Sequence, residues 1–171
     1  MVCVVVGVSA AGINAAKTLR EIDKNIEIIL VSKDEYVYSR CILHHFLDGR
    51  RDMKSLDFTP ENFFETYQLK WVKGVEVIGI DTNEKKLKLS NNEEVSYDKV
   101  ILATGSSSFL PPIENLRSAN NVIGLRNLDD AIKIKEEVKK VKNVAILGAG
   151  LVGVDALAGL LDYGVNITLI E

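Results

Sequence analysis

The chain has 171 residues, of which 47% are hydrophobic and 26% are charged, and its formal net charge is −3. This composition is typical of a globular protein, and the acidic charge gives no electrostatic reason to expect a nucleic-acid partner. No apolar run approaches the roughly 20 residues of a membrane-spanning helix, so no membrane partner is expected. The two cysteines, Cys3 and Cys41, are too few for a disulfide framework, which predicts a reducing, cytoplasmic location.

The first residues predict a strand, a glycine turn and a helix. Val2–Val6 is an apolar, β-branched run typical of a strand that is buried on both faces. The turn that follows comprises Gly7, Val8, Ser9, Ala10, Ala11 and Gly12. It reads G-x-S-x-x-G, a variant of the dinucleotide fingerprint G-x-G-x-x-G, in which the free N–H groups at a helix start bind a pyrophosphate. A βαβ unit without a ligand is the alternative for this copy taken alone.

The next residues complete a βαβ unit. After Gly12 a helix is expected to run to about Arg20 or Ile22, and a second strand is expected over residues 26–31, parallel to the first. In dinucleotide-binding units a carboxylate at the tip of this second strand binds the ribose hydroxyls. Ser32 stands at that tip instead, and Lys33 beside it offers a positive charge for a phosphate.

The segment EYVYSRCILHHFLDG, residues 35–49, contains the second cysteine. Ser39 is expected to cap a helix that begins near Arg40 or Cys41, which places the thiol in the first turn. There the helix dipole and the Arg40 charge favour a reactive thiolate. Spacing alone slightly favours a small packing residue over a redox thiol. Neither of the two adjacent histidines has a partner at metal-ligand spacing, so no metal site is expected.

The middle of the chain changes its period. A short helix introduced by Thr59-Pro60-Glu61 is expected in a polar linker. From Lys70 onward a period of two predicts an antiparallel meander with strands at residues 75–80, 86–89 and 94–97. A buried strand over residues 99–103 follows and ends in Ala103, Thr104 and Gly105, small residues that would let a ligand approach the carboxyl end of a parallel sheet.

The end of the chain holds a complete fingerprint. After a strand expected over residues 144–147 come Gly148, Ala149, Gly150, Leu151, Val152 and Gly153. A helix is expected over residues 154–163 and a second strand over residues 167–170, with Glu171 at its tip. This carboxylate would bind the 2′- and 3′-hydroxyls of an adenosine ribose and repel a 2′-phosphate, which favours NADH over NADPH.

The two glycine motifs and the A-T-G strand together resemble the FAD- and NAD(P)-dependent pyridine nucleotide–disulfide oxidoreductases over essentially the whole chain. The resemblance implies a Rossmann-like α/β fold with an inserted antiparallel meander, followed by the start of a second βαβ dinucleotide-binding unit. It implies FAD at the first motif and NAD at the second. With a boundary at the Pro111-Pro112 pair, residues 1–111 are expected to form the FAD-binding domain and residues 112–171 an incomplete NAD(P)-binding domain. The resemblance also assigns Val77 to a backbone contact with the adenine.

Around Cys41 the sequence is similar to the single-cysteine branch of the family, the coenzyme A-disulfide reductases and the NADH oxidases or peroxidases. That similarity implies that Cys41 is a redox residue, with Ser39 and Arg40 at the cofactor site. The same run also resembles rubredoxin- and nitrite-reductase relatives, in which this position need not be a redox cysteine. The implied acceptor is therefore a disulfide, a peroxide or oxygen, or an electron-acceptor protein, and these alternatives stay open.

Two positions depart from the family pattern. Ser9 replaces the middle glycine, and Ser32 replaces the carboxylate that holds the FAD ribose, which would weaken FAD binding or shift the contact to Lys33 or Asp34. Relatives continue beyond the second motif, so the chain is expected to be the N-terminal part of a longer flavoenzyme that is a homodimer at full length. The alternative is a catalytically silent nucleotide-binding module.

Overall fold

The computed structural model describes all 171 residues, which divide into two compact units. The first unit comprises residues 1–37 and 58–105, and the second comprises residues 38–57 and 106–171. The boundary expected between residues 111 and 112 lies within the second unit, and the division into an FAD and an NAD domain stays a prediction. None of the helices combines the length and the apolar character needed to cross a bilayer.

The secondary structure alternates strands and helices, and it departs from the sequence-based expectation at two segments described below. The strands are β1 (Val2–Val6), β2 (Glu27–Ser32), β3 (Leu69–Lys73), β4 (Val77–Asp81), β5 (Lys86–Leu89), β6 (Glu94–Ser96), β7 (Lys99–Leu102), β8 (Asn143–Leu147) and β9 (Asn166–Ile170). The α-helices are α1 (Ala10–Ile22), α2 (Leu43–Leu47), α3 (Phe63–Thr66), α4 (Leu128–Glu137) and α5 (Leu151–Leu160). One-turn 3-10 helices lie at Arg40–Ile42, Lys54–Leu56, Val138–Lys140 and Leu161–Tyr163.

The first unit is built on a four-stranded sheet in the order β3-β2-β1-β7, and all of its strand pairs are parallel. Strands β4, β5 and β6 form a separate antiparallel sheet, the expected meander. One face of the parallel sheet packs against α1 through alternating strand residues and two helix residues: Cys3, Val5, Ile28, Leu30, Ile13 and Ala16. The other face packs against the meander, where Leu87 and Leu89 are buried against Val4 and Val6. Successive strand residues point to opposite faces, so burial on both faces requires the continuous apolar run of β1.

The second unit contains the parallel pair β8 and β9, joined by α5. Its core includes residues of α2, α4 and α5, among them Leu43, Leu47, Leu128, Ala131 and Leu160. Helix α4 starts with a capping box. The Asn127 side chain accepts the Asp130 N–H at 2.9 Å, and the Asp130 carboxylate accepts the Asn127 N–H at 3.1 Å. The sequence around Asn127 therefore encodes this helix start locally.

Two segments differ from the sequence-based expectation. Leu69–Lys73 was not expected as a strand of the parallel sheet, yet it pairs with β2 from Leu69 to Lys73. An alternating pattern is compatible with both the parallel sheet and the antiparallel meander. The pairing with β2, which the pattern does not encode, places this strand in the parallel sheet. The helix expected directly after Thr59-Pro60 begins later, at Phe63, because Asn62 adopts a left-handed conformation with φ of 59° and starts the helix there.

Arg20, near the end of α1, is a buried charged side chain with 7% exposure. Its guanidinium donates to the carbonyls of Tyr67 at 2.9 Å, Gln68 at 3.2 Å, Lys24 at 2.8 Å and Asp23 at 3.4 Å. Two of these carbonyls lie in the turn after α1 and two lie in the turn before β3. One planar donor group thus fastens the C-terminal end of the helix to the edge strand of the parallel sheet.

Replacing this donor group is expected to destabilise the first unit. Arg20→Met should lower the free energy of unfolding by about 2–3 kcal/mol, because methionine cannot donate to the buried carbonyls. Arg20→Lys should cost less, since an ammonium reaches only part of the set. Urea denaturation measures both changes. Lys17→Met, a change at a partly exposed lysine on the same helix, is the control and should alter stability by less than about 0.5 kcal/mol. An equal effect of the Lys17 and Arg20 changes would contradict the assignment.

Candidate functional site

The two glycine turns, residues 7–12 and 148–153, have the same backbone geometry. Gly7 and Gly148 have positive φ angles of 110° and 106°. The Gly7 N–H donates to the Val31 carbonyl at 2.8 Å, and the Gly148 N–H donates to the Ile170 carbonyl at 2.7 Å. In each unit, therefore, the first glycine of the turn is tied to the end of the strand that follows the helix. The glycine turn expected from the sequence is formed twice, and its binding of a phosphate stays a prediction.

The last glycine of each turn allows a close backbone contact. A Cβ on Gly12 would lie 1.9 Å from the Gly7 carbonyl oxygen, and a Cβ on Gly153 would lie 1.9 Å from the Gly148 carbonyl oxygen. No side chain fits at such a distance. The helix start can approach the end of the preceding strand only because both positions are glycine, which is the role that the fingerprint predicts for its third glycine.

The middle position tolerates the serine of the first turn. Ser9 has φ of −86° and ψ of −174°, and Gly150 has φ of −70° and ψ of −179°, so both adopt an extended conformation open to any residue. No atom lies within 4 Å of the position that a Cβ on Gly150 would take. Ser9 is therefore unstrained.

Exposed residues follow the middle position in both turns. Ala10 and Ala11 are exposed at the start of α1, and Leu151 and Val152 are exposed at the start of α5. Helix starts carry N–H groups without partners inside the helix, and the helix dipole adds positive potential there. Because α1 and α5 begin at these open turns, both sites fit the pyrophosphate of a dinucleotide.

The two strand tips beside the turns carry different side chains. Ser32 and Glu171 are equivalent, because each follows the residue whose carbonyl binds the first glycine of its turn. The Glu171 carboxylate accepts a hydrogen bond from the Ala149 N–H in the second turn. Ser32 is buried, and its hydroxyl oxygen accepts the Asp34 N–H at 3.0 Å. A carboxylate therefore lies at the second turn, whereas the first strand tip presents a neutral, inward-facing hydroxyl, with Lys33 exposed beside it.

The A-T-G segment lies beside the first turn, as its small residues predict. The Ala103 N–H donates to the Val6 carbonyl at 2.8 Å, and a Cβ on Gly7 would lie 2.3 Å from the Ala103 carbonyl oxygen. Gly105 has a positive φ of 69° and turns the chain away. A shallow pocket of about 210 Å³ is lined in part by Val77 and Thr104. The first unit thus brings these predicted residues to one edge, while their contacts with a cofactor stay predictions.

Cys41 lies in the second unit and is exposed, whereas Cys3 is buried in β1, where burial raises the pKa of its thiol. The helix expected at Arg40 or Cys41 starts as the 3-10 turn Arg40–Ile42, and the Ser39 side chain makes no capping hydrogen bond. The α-helical part that follows is only five residues long. The capping expectation is therefore wrong, and the helix dipole expected at the thiol is weak because few peptide groups are aligned.

Tyr38 is a residue of this segment that the sequence reasoning missed. It is 4% exposed, its hydroxyl accepts hydrogen bonds from the Arg40 guanidinium and from the Leu128 N–H at 3.2 Å, and its ring stacks 4.7 Å from the guanidinium carbon. Leu128 is the first residue of α4. Tyr38 therefore fixes Arg40, the neighbour of Cys41, against the start of a helix. No local pattern signals this role, because Leu128 is 90 residues away in the sequence.

Asp48 is a buried carboxylate at the end of α2, with a 4% exposed side chain. It accepts the Arg50 N–H at 2.9 Å and lies 3.3 Å from both the His45 Nδ1 and the Arg50 Nε. Burial raises the pKa of Asp48, but the Arg50 N–H, the His45 hydrogen bond and the charges of both residues outweigh burial and hold it below its usual value. No group of three or more metal-ligating side chains is present in the chain.

These features define a dinucleotide-binding α/β protein with two phosphate turns. Residues 1–171 match the family described as pyridine nucleotide-disulphide oxidoreductase, and the chain belongs to that family. It is 31% identical to an NADH oxidase of Methanocaldococcus jannaschii, over 100% of this chain and 40% of that protein. It is 32% identical to a rubredoxin-NAD(+) reductase of Alcanivorax borkumensis, over 98% of this chain and 44% of that protein.

Solved structures agree with this assignment. The structure of reduced Bacillus anthracis CoADR-RHD matches with a TM-score of 0.87 and 29% identity, covering 98% of this chain and 32% of that one. The family and the α/β fold expected from the sequence are confirmed. The chain spans 40% and 44% of the two curated relatives named above, so the roles of individual residues stay predictions.

The two glycines of the second turn are expected to differ in their response to a methyl group. Gly153→Ala should lower the free energy of unfolding by about 3 kcal/mol, because the new Cβ collides with the Gly148 carbonyl. Gly150→Ala should change it by no more than about 1 kcal/mol, because its conformation and surroundings accept alanine. Urea denaturation of both variants is the measurement. Equal losses would show that the turn lacks the close contact.

Asp48 is expected to make stability depend on pH in the acid range. Because its pKa is lower in the folded chain than in the unfolded chain, its stabilisation is present above the ordinary carboxyl range and is lost as pH falls through the folded pKa. Asp48→Asn should therefore be less stable than the wild type at pH 7, and the difference should shrink toward about pH 2. Denaturation at several pH values measures this, with the exposed Glu61→Gln as the control. A pH-independent difference would contradict the role of the charge.

Proposed function

We propose that this chain supplies the two nucleotide sites of an NADH-dependent FAD oxidoreductase that passes electrons from NADH through flavin to an acceptor. The observation that carries the proposal is the repetition of one turn geometry, with Gly7 and Gly12 matched by Gly148 and Gly153. An enzyme that needs a single nicotinamide cofactor requires one such turn. Two turns within a chain that belongs to this family are accounted for by two dinucleotides.

The residues of the first unit are proposed to hold FAD. The N–H groups at the start of α1 would bind its pyrophosphate, while Val77 would meet the adenine. Ala103, Thr104 and Gly105 would lie beside the flavin, where only small side chains leave room. Bound FAD supplies the capacity to take two electrons from NADH and release them to the acceptor. The contribution of the chain is to bind and orient.

The residues of the second turn are proposed to hold NADH. The start of α5 would bind the pyrophosphate, and Gly150 leaves the space that this group needs. Glu171 is placed at the turn by its hydrogen bond to the Ala149 N–H, and its carboxylate would accept the ribose hydroxyls. The same negative charge would repel a 2′-phosphate. The site is therefore proposed to prefer NADH over NADPH.

For the acceptor, the exposure of Cys41 supports reduction of a small disulfide or a peroxide. As a thiolate, Cys41 would attack one sulfur of a disulfide, forming a mixed disulfide and expelling the other sulfur as a thiolate. Two electrons that originate from NADH would then release the second half and restore the Cys41 thiolate. With a peroxide, Cys41 would instead cycle through a sulfenic acid. Two free cysteines suit a reducing compartment such as the cytoplasm.

A second candidate is electron transfer to a carrier protein without a redox cysteine. The observation that favours it is the Tyr38–Arg40 contact, which gives the segment around Cys41 a structural role that needs no thiol. Relatives of this chain include rubredoxin-NAD(+) reductases, whose names state a protein acceptor. In this alternative Cys41 is a surface residue. The full-length protein is proposed to be a homodimer in either case.

The absorption spectrum of the purified chain tests the central proposal. After FAD is added and the excess is removed, the protein should retain the flavin absorption bands of the near-ultraviolet and visible regions. Addition of NADH should then bleach these bands. NADPH should bleach them more slowly, because of the Glu171 charge. A protein that stays colourless after incubation with FAD would contradict the proposal and support a catalytically silent nucleotide-binding module.

Cysteine variants in the same assay separate the two acceptor classes. Cys41→Ser should leave the bleaching by NADH intact but abolish disulfide or peroxide reduction if Cys41 is the redox residue. Cys3→Ala, which changes the buried cysteine, is the control and should retain both activities. Unchanged disulfide and peroxide reduction in Cys41→Ser would remove Cys41 from the mechanism. A protein acceptor would then be the remaining class.

A further inference from the structure

The first turn lacks a carboxylate where the second turn has one. Strands β1 and β2 pair in the same way as β8 and β9, with Val6 opposite Val31 and Leu147 opposite Ile170. The next residue along each second strand is Ser32 in the first unit and Glu171 in the second. Since the remaining geometry of the two turns agrees, this substitution is the main chemical difference between their ribose positions.

The Ser32 side chain forms a hydrogen bond within a local turn. Its hydroxyl oxygen accepts the Asp34 N–H, two residues ahead, and only 6% of the residue is exposed. A serine hydroxyl that accepts from the backbone two residues on makes the chain reverse direction. Residues 33–35 are thereby directed over the carboxyl edge of the parallel sheet, where the strand tips of β1, β2 and β3 lie in neighbouring positions.

The reversal places Glu35 over the strand next to β2. Ser32 is paired with Lys73 at the end of β3, and the Val75 N–H donates to the Ser32 carbonyl at 3.1 Å, so Gly74 lies beside the tip of β2. The Glu35 Oε1 lies 3.3 Å from the position that a Cβ on Gly74 would take, and its Cγ lies 3.4 Å away. The side chain of Glu35 therefore crosses Gly74 in the space that a residue with a side chain would fill. Gly74 also has a positive φ of 68°.

We propose that Glu35 is the carboxylate that accepts the adenosine ribose hydroxyls at the first turn, in place of residue 32. The inference rests on the proposed function, in which the first turn binds FAD. Adjacent strands are about 4.8 Å apart, so a carboxylate one strand away from the usual position is displaced by little more than one side-chain length. Glu35 is exposed, which leaves its oxygens accessible to a ligand. Gly74 is the residue that makes room for this arrangement.

Flavin binding by the full chain stripped of flavin tests the assignment. The dissociation constant is measured from the quenching of FAD fluorescence, for FAD and for an analogue whose adenosine ribose lacks both hydroxyls. Glu35→Gln should weaken the binding of FAD about tenfold, because charge-assisted hydrogen bonds are lost. It should not weaken the binding of the analogue, which has no ribose hydroxyl to offer. Glu61→Gln, which removes an exposed carboxylate elsewhere in the first unit, is the matched control and should bind FAD as the wild type does.

The outcomes separate this inference from the proposed function. Glu35 is on the surface, so its variant should keep the melting temperature of the wild type, which a thermal scan checks. If Glu35→Gln binds FAD as tightly as the wild type, the ribose contact is assigned wrongly while the FAD site stands. The assignment is also overturned if the loss is as large for the analogue as for FAD, because the residue then acts through the fold. If the wild type itself binds no FAD, both the proposed function and the inference fail.

Discussion

Each glycine turn depends on a close approach between the start of a helix and the backbone carbonyl of the first glycine. In the first turn the Gly7 carbonyl occupies the place where a side chain on Gly12 would begin. A Cβ on Gly12 would lie 1.9 Å from the Gly7 carbonyl oxygen, and a Cβ on Gly153 would lie 1.9 Å from the Gly148 carbonyl oxygen. Without this approach the helix would start further from the strand, and its first N–H groups would no longer face the end of the sheet. The geometry that suits an anion is therefore a consequence of packing between a strand and a helix, and glycine is the residue that permits it.

The two turns share this constraint but differ in what surrounds them. A Cβ on Gly7 would meet the Ala103 carbonyl at 2.3 Å, so a third strand presses against the first turn. No atom lies within 4 Å of the corresponding position on Gly148. The first turn is thus confined by β7 in a four-stranded sheet, whereas the second belongs to a two-stranded one. Equal loop geometry with unequal surroundings is consistent with two nucleotides that have separate roles.

Local patterns predicted the parts of the structure that local chemistry decides. The valine run of β1, the glycine spacings and the Asn127 cap are each encoded within a few residues, and all three are present. The strand β3 was missed because its alternating pattern does not say which neighbour it pairs with. The second unit combines residues 38–57 with residues 106–171, a long-range association that no local pattern encodes. Tyr38 was missed for the same reason, since its hydroxyl partner Leu128 is 90 residues away.

Ser32 and Glu171 stand at equivalent strand tips beside turns of the same backbone geometry, although their side chains differ. Glu171 already accepts the Ala149 N–H, so a ribose that binds there exchanges one hydrogen bond for another. Such an exchange gives a small net gain, because hydrogen bonds contribute only the difference between two partnered states. Ser32 has its own backbone partner and brings no charge to the first turn, so a nucleotide bound at that turn would draw its affinity from other contacts, chiefly those of its pyrophosphate and of the residues along the carboxyl edge of the sheet.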